Sequence, residues 1–399
     1  MKSNYRYIVK AFMAMAVIAG TTSCDDFLDR EPMSSISPET YYSTAAQLEA
    51  NLNDEYPNVL PSFGQWTYGI FGEDKGTDNQ IEVNANDRYT QDRWKVPHSE
   101  SDNWKFERIY RINFFLSEAL PKFGEDMSGS QNTISGSVAT IKHYIGEMYF
   151  LRAYEYFKKL QLFGDFPIIN QPLADEMEAL REASKRFPRN EVARFIISDL
   201  DKAYAYMSDV DMATTRINKD AAMLVKSRVA LFEATWLQNF KGTAFVPGGE
   251  GWPGASLHNN YQYPSGNIDN EVKYFLEQAV EASKLVADKY KGSLTENTGV
   301  LQQSADDPSN PYFDMFAQED LSDVKEVLLW RQYARGLSTH NINAAAGRGN
   351  YRIGLTRGFV QNFLMKDGTP VYAHGSYADG DGYYMGDKTV ADVRVNRDP

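Results

Sequence analysis

The chain has 399 residues, is 13% aromatic, and carries 41 Lys+Arg against 54 Asp+Glu for a formal net charge of −13. No basic run is long enough to follow a phosphate backbone, which excludes nucleic acid as a partner. The single cysteine, Cys24, excludes an intramolecular disulfide and any cysteine-based zinc site. At the N-terminus Lys2, Arg6 and Lys10 are followed by an apolar run from Ala11 to Gly20, too short to span a bilayer as a helix, and then by Thr21-Thr22-Ser23-Cys24. That order reads as a lipoprotein signal peptide over residues 1–23, with Cys24 as the acylated residue and Thr21 where leucine is usual. Acyl chains on Cys24 make the mature protein membrane-attached while its body stays in water.

Residues 24–37 read as a polar tether and 38–399 as the folded body. Ser37 as N-cap and Pro38 at the first helical position predict a helix to about Asn58 through Tyr41, Leu48, Leu52 and Tyr56. From Pro61 to Ser101 the periodicity is lost. Gly, Asn and Asp alternate there with Phe63, Trp66, Tyr68, Phe71, Tyr89 and Trp94, an aromatic-rich excursion too long to be a simple connection. Helical spacing returns over 102–123 and again over 138–163. In the second stretch Ile141, Tyr144, Ile145, Met148, Leu151, Tyr156 and Leu160 form one side, and Lys142, Glu147, Glu155 and Lys158 are placed on the wet side. Gly164 suits the left-handed position after the last turn and Pro167 prevents the helix from resuming. A polar linker through Arg186 precedes helices over 189–207, 219–240 and 269–290. The last two flank a Gly- and Pro-rich insertion, 241–267, whose Trp252, Tyr261 and Tyr263 are expected to be displayed. Glu326–Tyr333 reads as a buried strand, and Val390–Pro399 carries no helical signal.

The helices recur as pairs. Met148, Arg152 and Tyr156 match Leu224, Arg228 and Phe232 at one offset, and Ile196, Leu200, Ala203 and Met207 match Phe275, Ala279, Ala282 and Val286 at another. The reading is a mostly α, tetratricopeptide-like solenoid of helix pairs with long irregular insertions and a few short strands.

A helix of the form E-x-x-F-L-R-A-x-x-Y-F running into L-F-G-D-x-P closely resembles the signature of the RagB/SusD family. The matching residues are Glu147, Phe150, Leu151, Arg152, Ala153, Tyr156 and Phe157, then Leu162, Phe163, Gly164, Asp165 and Pro167. The stretch Thr356, Arg357, Phe359, Val360, Phe363, Met365, Lys366, Asp367, Gly368 and the run Asn396-Arg397-Asp398-Pro399 resemble the family as well. This resemblance implies a non-catalytic outer-membrane lipoprotein that binds glycans or other nutrients and hands them to a TonB-dependent transporter of SusC type. Asp25 and Asp26 resemble the acidic signal for the outer face of that membrane, or serve as a solvated linker. Because the family continues beyond its N-R-D-P, the resemblance also implies a C-terminal truncation, with the helix faces around Leu224 and Phe275 left partly uncovered.

No catalytic constellation stands out. His98, His143, His258, His340 and His374 show no metal spacing, no G-x-S-x-G elbow or Walker loop occurs, and no cofactor is implied. Asp379-Gly380-Asp381-Gly382 lacks the later ligands of a calcium loop and reads as a turn. Carboxylates near aromatics, Asp74, Asp78, Asp87, Asp306 and Asp307, leave a secreted glycan-processing enzyme as the alternative, beside a peptide-binding uptake lipoprotein. Sugar binding without chemistry needs rings for the apolar pyranose face and planar polar groups for its hydroxyl rim. The two insertions supply both: Trp66, Asp78, Asn79, Arg88, Arg93 and Trp94 in the first, Trp252, Asn259, Asn260 and Tyr263 in the second.

Overall fold

A computed structural model of the protein describes residues 41–64, 72–81, 103–124, 126–207, 212–300, 304, 306–334, 339, 354–373 and 389–396. Its elements, in chain order, begin with α1 (Ala45–Val59), β1 (Gln80–Ile81), α2 (Glu107–Phe123), α3 (Val138–Phe163), α4 (Met177–Ala183) and α5 (Arg189–Tyr206). They continue with α6 (Lys219–Asn239), α7 (Ile268–Tyr290), α8 (Pro311–Met315), β2 (Gly354–Leu355), α9 (Arg357–Val360) and α10 (Val390–Asn396). The protein is mostly helical. No helix among the described residues is long and apolar enough to cross a membrane.

The arrangement is centred on α3. Helices α1, α2 and α5 all pack against it, α6 packs on α5, and α7 on α6. Ser137 caps its first turn by accepting the Thr140 N–H, and Gly164, at φ +69°, takes the left-handed conformation that ends it. Gly146 permits the closest approach to α5, because a Cβ there would stand 2.8 Å from the backbone nitrogen of Met207 and 2.9 Å from the carbonyl oxygen of Ala203.

Being surrounded, α3 has little wet side, which corrects the sequence expectation for Glu147 and Glu155: both are buried. Buried charges must be paired, and here they are. Arg216 donates to both Glu147 oxygens at 2.9 and 2.7 Å, and the Tyr56 hydroxyl donates to the same carboxylate at 2.8 Å, which ties α1 and the start of α6 to α3. One turn further along, Arg152 meets Asp199 of α5 through two hydrogen bonds of 2.7 and 2.9 Å, with a third donated to the Asn113 side chain of α2 at 2.8 Å. Its guanidinium lies between the Tyr149 and Phe195 rings, 5.3 Å from each centroid. Tyr156 closes the signature turn: its hydroxyl donates to the Ile169 carbonyl and accepts the Ile169 N–H.

Several expectations change. Helix α1 starts at Ala45, capped by Thr44 and Gln47 in a reciprocal box, and the Ser37-Pro38 start lies outside the described residues. The linker before Arg186 contains α4. Glu326–Tyr333 is not a strand: it runs over the start of α6 with the Leu328 carbonyl accepting from Asn218, and the Trp330 N–H and indole N–H donating to Thr214 at 3.1 and 2.9 Å. Val390–Asn396 is helical, with Thr389 and Asp392 capping each other. The residues paired between α5 and α7 are all buried, whereas Leu224 and Arg228 of α6 are exposed where Met148 and Arg152 of α3 are sealed. On the outer faces, Phe275 is fully buried and Leu224 is 43% exposed.

Candidate functional site

A groove of about 900 Å³ lies between the end of α1, the middle of α3, α6 and the 326–332 segment. Tyr154 of α3 and Trp330 supply half-buried rings, Leu60, Leu224 and Val225 supply apolar walls, and Asn53, Thr215, Arg228 and Gln332 supply polar groups. Trp330 is held in place by its two bonds to Thr214. Burial raises the Tyr154 phenol above its ordinary range; Arg228 opposes that rise and Glu73 adds to it. A ring face beside planar donors is what a pyranose needs. Sequence reasoning missed this site because its walls come from four separated segments, and no spacing in the chain announces that they meet.

The residues singled out from the sequence fall elsewhere. Asp78 and Asn79 lie on the approach to β1, where the Asn79 carbonyl accepts the Thr356 N–H at 2.8 Å and the Asp78 carbonyl accepts the Thr356 hydroxyl. The next residues pair β1 with β2 antiparallel, Gln80 opposite Leu355. The family-like T-R-x-F-V stretch is thereby joined to the first insertion. The remaining residues named from that insertion, Trp66, Arg88, Arg93 and Trp94, lie outside the described residues, as does Cys24.

The second insertion is packed, which corrects the expectation that its rings are displayed. Trp252 is only 5% exposed, and its indole N–H donates to Asp165 of the signature turn at 2.7 Å. Its ring stacks on His258 and leans on Tyr261. Gly254 lies against its face, where a Cβ would stand 2.2 Å from the indole. The other Asp165 oxygen accepts the Arg189 N–H at 2.9 Å, supplying the cap that Pro188 cannot give α5. Burial pushes the Asp165 carboxyl up, against the pull of these two donors. Tyr263 is half-buried and donates to the Pro247 carbonyl at 2.7 Å. Behind this layer Arg189 pairs with buried Glu233, and Arg194 with Glu271. Burial alone would raise the Glu271 carboxyl, but donors from Arg194, Asn190 and Ser265 outweigh it and hold the group below its usual range. Trp252 also forms part of the wall of a second concavity, about 480 Å³, with Trp236, Phe245 and Arg186. None of Asp78, Asn79, Trp252 and Tyr263 lines the large groove.

Residues 26–231 match the model of a SusD-like family described as starch-binding and associating with the outer membrane. Two proteins of Formosa agariphila are similar in sequence. SusD-like protein P25 is 25% identical over 54% of this chain and 41% of its own length, and SusD-like protein P2 is 25% identical over 60% and 46%. The matched part is thus less than half of either relative. In three dimensions the fold is similar to two proteins of Bacteroides fragilis NCTC 9343. A SusD-like carbohydrate-binding protein superposes at a TM-score of 0.52 with 15% identity, over 85% of this chain and 57% of that one. A second SusD-like protein gives 0.51 with 18% identity, over 86% and 57%.

Proposed function

This chain belongs to the SusD-like family, and from that premise we propose that it is a non-catalytic, surface-exposed binding protein that captures oligosaccharides for a TonB-dependent outer-membrane transporter. The observation that carries the reading is the groove, in which the Tyr154 and Trp330 rings stand beside Asn53, Arg228 and Gln332. Asp78, Asn79, Trp66, Arg88 and Trp94 are proposed as further contacts on their chemistry alone, and Trp252 and Tyr263 as supports of the neighbouring surface.

Replacing Tyr154 and Trp330 together with alanine is expected to weaken binding of a recognised oligosaccharide about tenfold, since each ring face contributes roughly 0.5–1.5 kcal/mol beyond its area. Titration calorimetry measures this, and the same mixtures should develop no new reducing ends over hours. Affinity unmoved by the double replacement would take the groove out of the reading. Reducing ends that accumulate with time would replace binding by hydrolysis.

We further propose that residues 1–23 are removed as a signal peptide and that Cys24, at the head of a 24–37 tether, carries the acyl chains that hold the 38–399 body at the outer membrane. Cys24→Ala is expected to move the protein from the membrane to the soluble fraction with its thermal melt unchanged, because two or more acyl chains anchor stably and no chains do not. A Cys24→Ala protein that still sediments with membranes after a high-salt wash would require another anchor.

A further inference from the structure

We propose that the groove is built for an acidic saccharide, one bearing a carboxylate or a sulfate ester, and that Arg228 is the residue that selects it; this deepens the binding reading above and rests on it. The charged residues lining the groove are Arg228, Arg331 and Glu326. Glu326 is already engaged, its carboxylate accepting the Thr295 N–H at 2.8 Å. Arg331, on the wall formed by the 326–332 segment, lies over the Tyr333 ring at 5.6 Å. Arg228, on α6, is exposed and has no carboxylate within ion-pair distance among the described residues.

That last fact separates Arg228 from its neighbours. Arg111, Arg152, Arg189, Arg194 and Arg216, which lie along the packed helix faces, are each held by a carboxylate. Arg186, on the second concavity, also lacks a carboxylate, but its guanidinium lies over the Trp104 ring at 4.6 Å. Arg228 has neither kind of contact among the described residues, in a chain where acidic residues outnumber basic ones by 13. A guanidinium presents a planar fork that fits a carboxylate or sulfate through two parallel hydrogen bonds. A uronic acid or sulfated sugar projects its anion from the edge of the ring while its C–H face remains free to stack, so Tyr154 and Arg228 can be used by one residue of the ligand at once. The net negative charge of the protein opposes a polyanion at long range, but that field is screened beyond roughly 8–10 Å at physiological salt. Contacts inside the groove then decide the choice.

The test titrates the purified protein with three probes of equal length: an oligogalacturonide, a sulfated galactan oligosaccharide and a neutral malto-oligosaccharide. At least one acidic probe should bind about tenfold more tightly than the neutral one, and raising salt from 0.05 to 0.5 M should narrow the margin. Arg228→Gln should abolish the margin and Arg228→Lys should keep part of it, both with an unchanged thermal melt because the side chain is exposed. Which acidic probe wins identifies the anion. A neutral probe that binds as tightly as both acidic ones, or a margin that survives Arg228→Gln, overturns the assignment and leaves saccharide binding standing. Failure of all three probes overturns both.

Discussion

Asp199→Ala is expected to destabilise the fold by about 3–5 kcal/mol, read as a fall in the urea midpoint with an unchanged slope. The figure follows from what is left behind. Arg152 is 3% exposed, and Asp199 answers two of its donors at 2.7 and 2.9 Å. Without Asp199 a full positive charge stays between the Tyr149 and Phe195 rings, with only Asn113 and the Asn170 carbonyl as acceptors. Replacing Arg152 and Asp199 together, by methionine and leucine, should be milder than the single change, because an apolar pair leaves no buried charge unanswered. By contrast, the Lys273–Glu277 pair is long at 3.8 Å and exposed on both sides, and breaking it should leave the midpoint where it is. A loss below 1 kcal/mol for Asp199→Ala would mean that water reaches Arg152 and that α3 and α5 are not sealed.

Trp252→Ala should lower stability by about 3–5 kcal/mol, the range for emptying a buried large aromatic site. Two effects add. The ring vacates the layer formed with His258 and Tyr261, and Asp165 loses the 2.7 Å indole donor while its other oxygen still caps α5. Trp252→Phe retains most of the ring and removes the donor alone, so its loss should be nearer 1–2 kcal/mol. Thermal melts of the two variants distinguish the contributions. Equal losses would assign the whole effect to the hydrogen bond, and a melt unchanged in Trp252→Ala would restore the expectation of a displayed ring.

The sequence makes local signals legible and leaves encounters between distant segments hidden. Gly164 and Pro167 mark the end of α3 because a left-handed turn and a missing N–H act on their own neighbours, and the observed helix stops at Phe163. The Thr44-Ala45-Ala46-Gln47 box that fixes the start of α1 is equally local, yet sequence reasoning missed it and began the helix at Ser37-Pro38. Glu147 and Glu155 look like solvated positions only while α3 is considered by itself. Their burial depends on α1, α2 and α5, which surround that helix. The apolar run Val327–Trp330 has the composition of a strand, but its hydrogen bonds go to Asn218 and Thr214 and not to a neighbouring strand. The candidate site was the least legible part. Tyr154 and Trp330 are 176 positions apart in the sequence and share only the groove they line.

The Glu147 carboxylate has a consequence for the order in which the chain can become native. Its cation, Arg216, lies 69 residues downstream, and the Tyr56 hydroxyl that also reaches it lies 91 residues upstream. A chain emerging N-terminus first therefore presents α1, α2 and α3 before the residue that neutralises their shared interior charge has appeared. Until then Glu147 has the Tyr56 hydroxyl and the His143 ring within reach but not its guanidinium, so closing α1 over α3 costs more, and the Tyr56 hydroxyl has no Ile217 N–H to accept at 2.9 Å. The arrival of Arg216-Ile217 supplies both missing partners in two consecutive residues. In the native fold that dipeptide fastens α1 and α3 together at one point, the guanidinium on Glu147 and the amide on Tyr56.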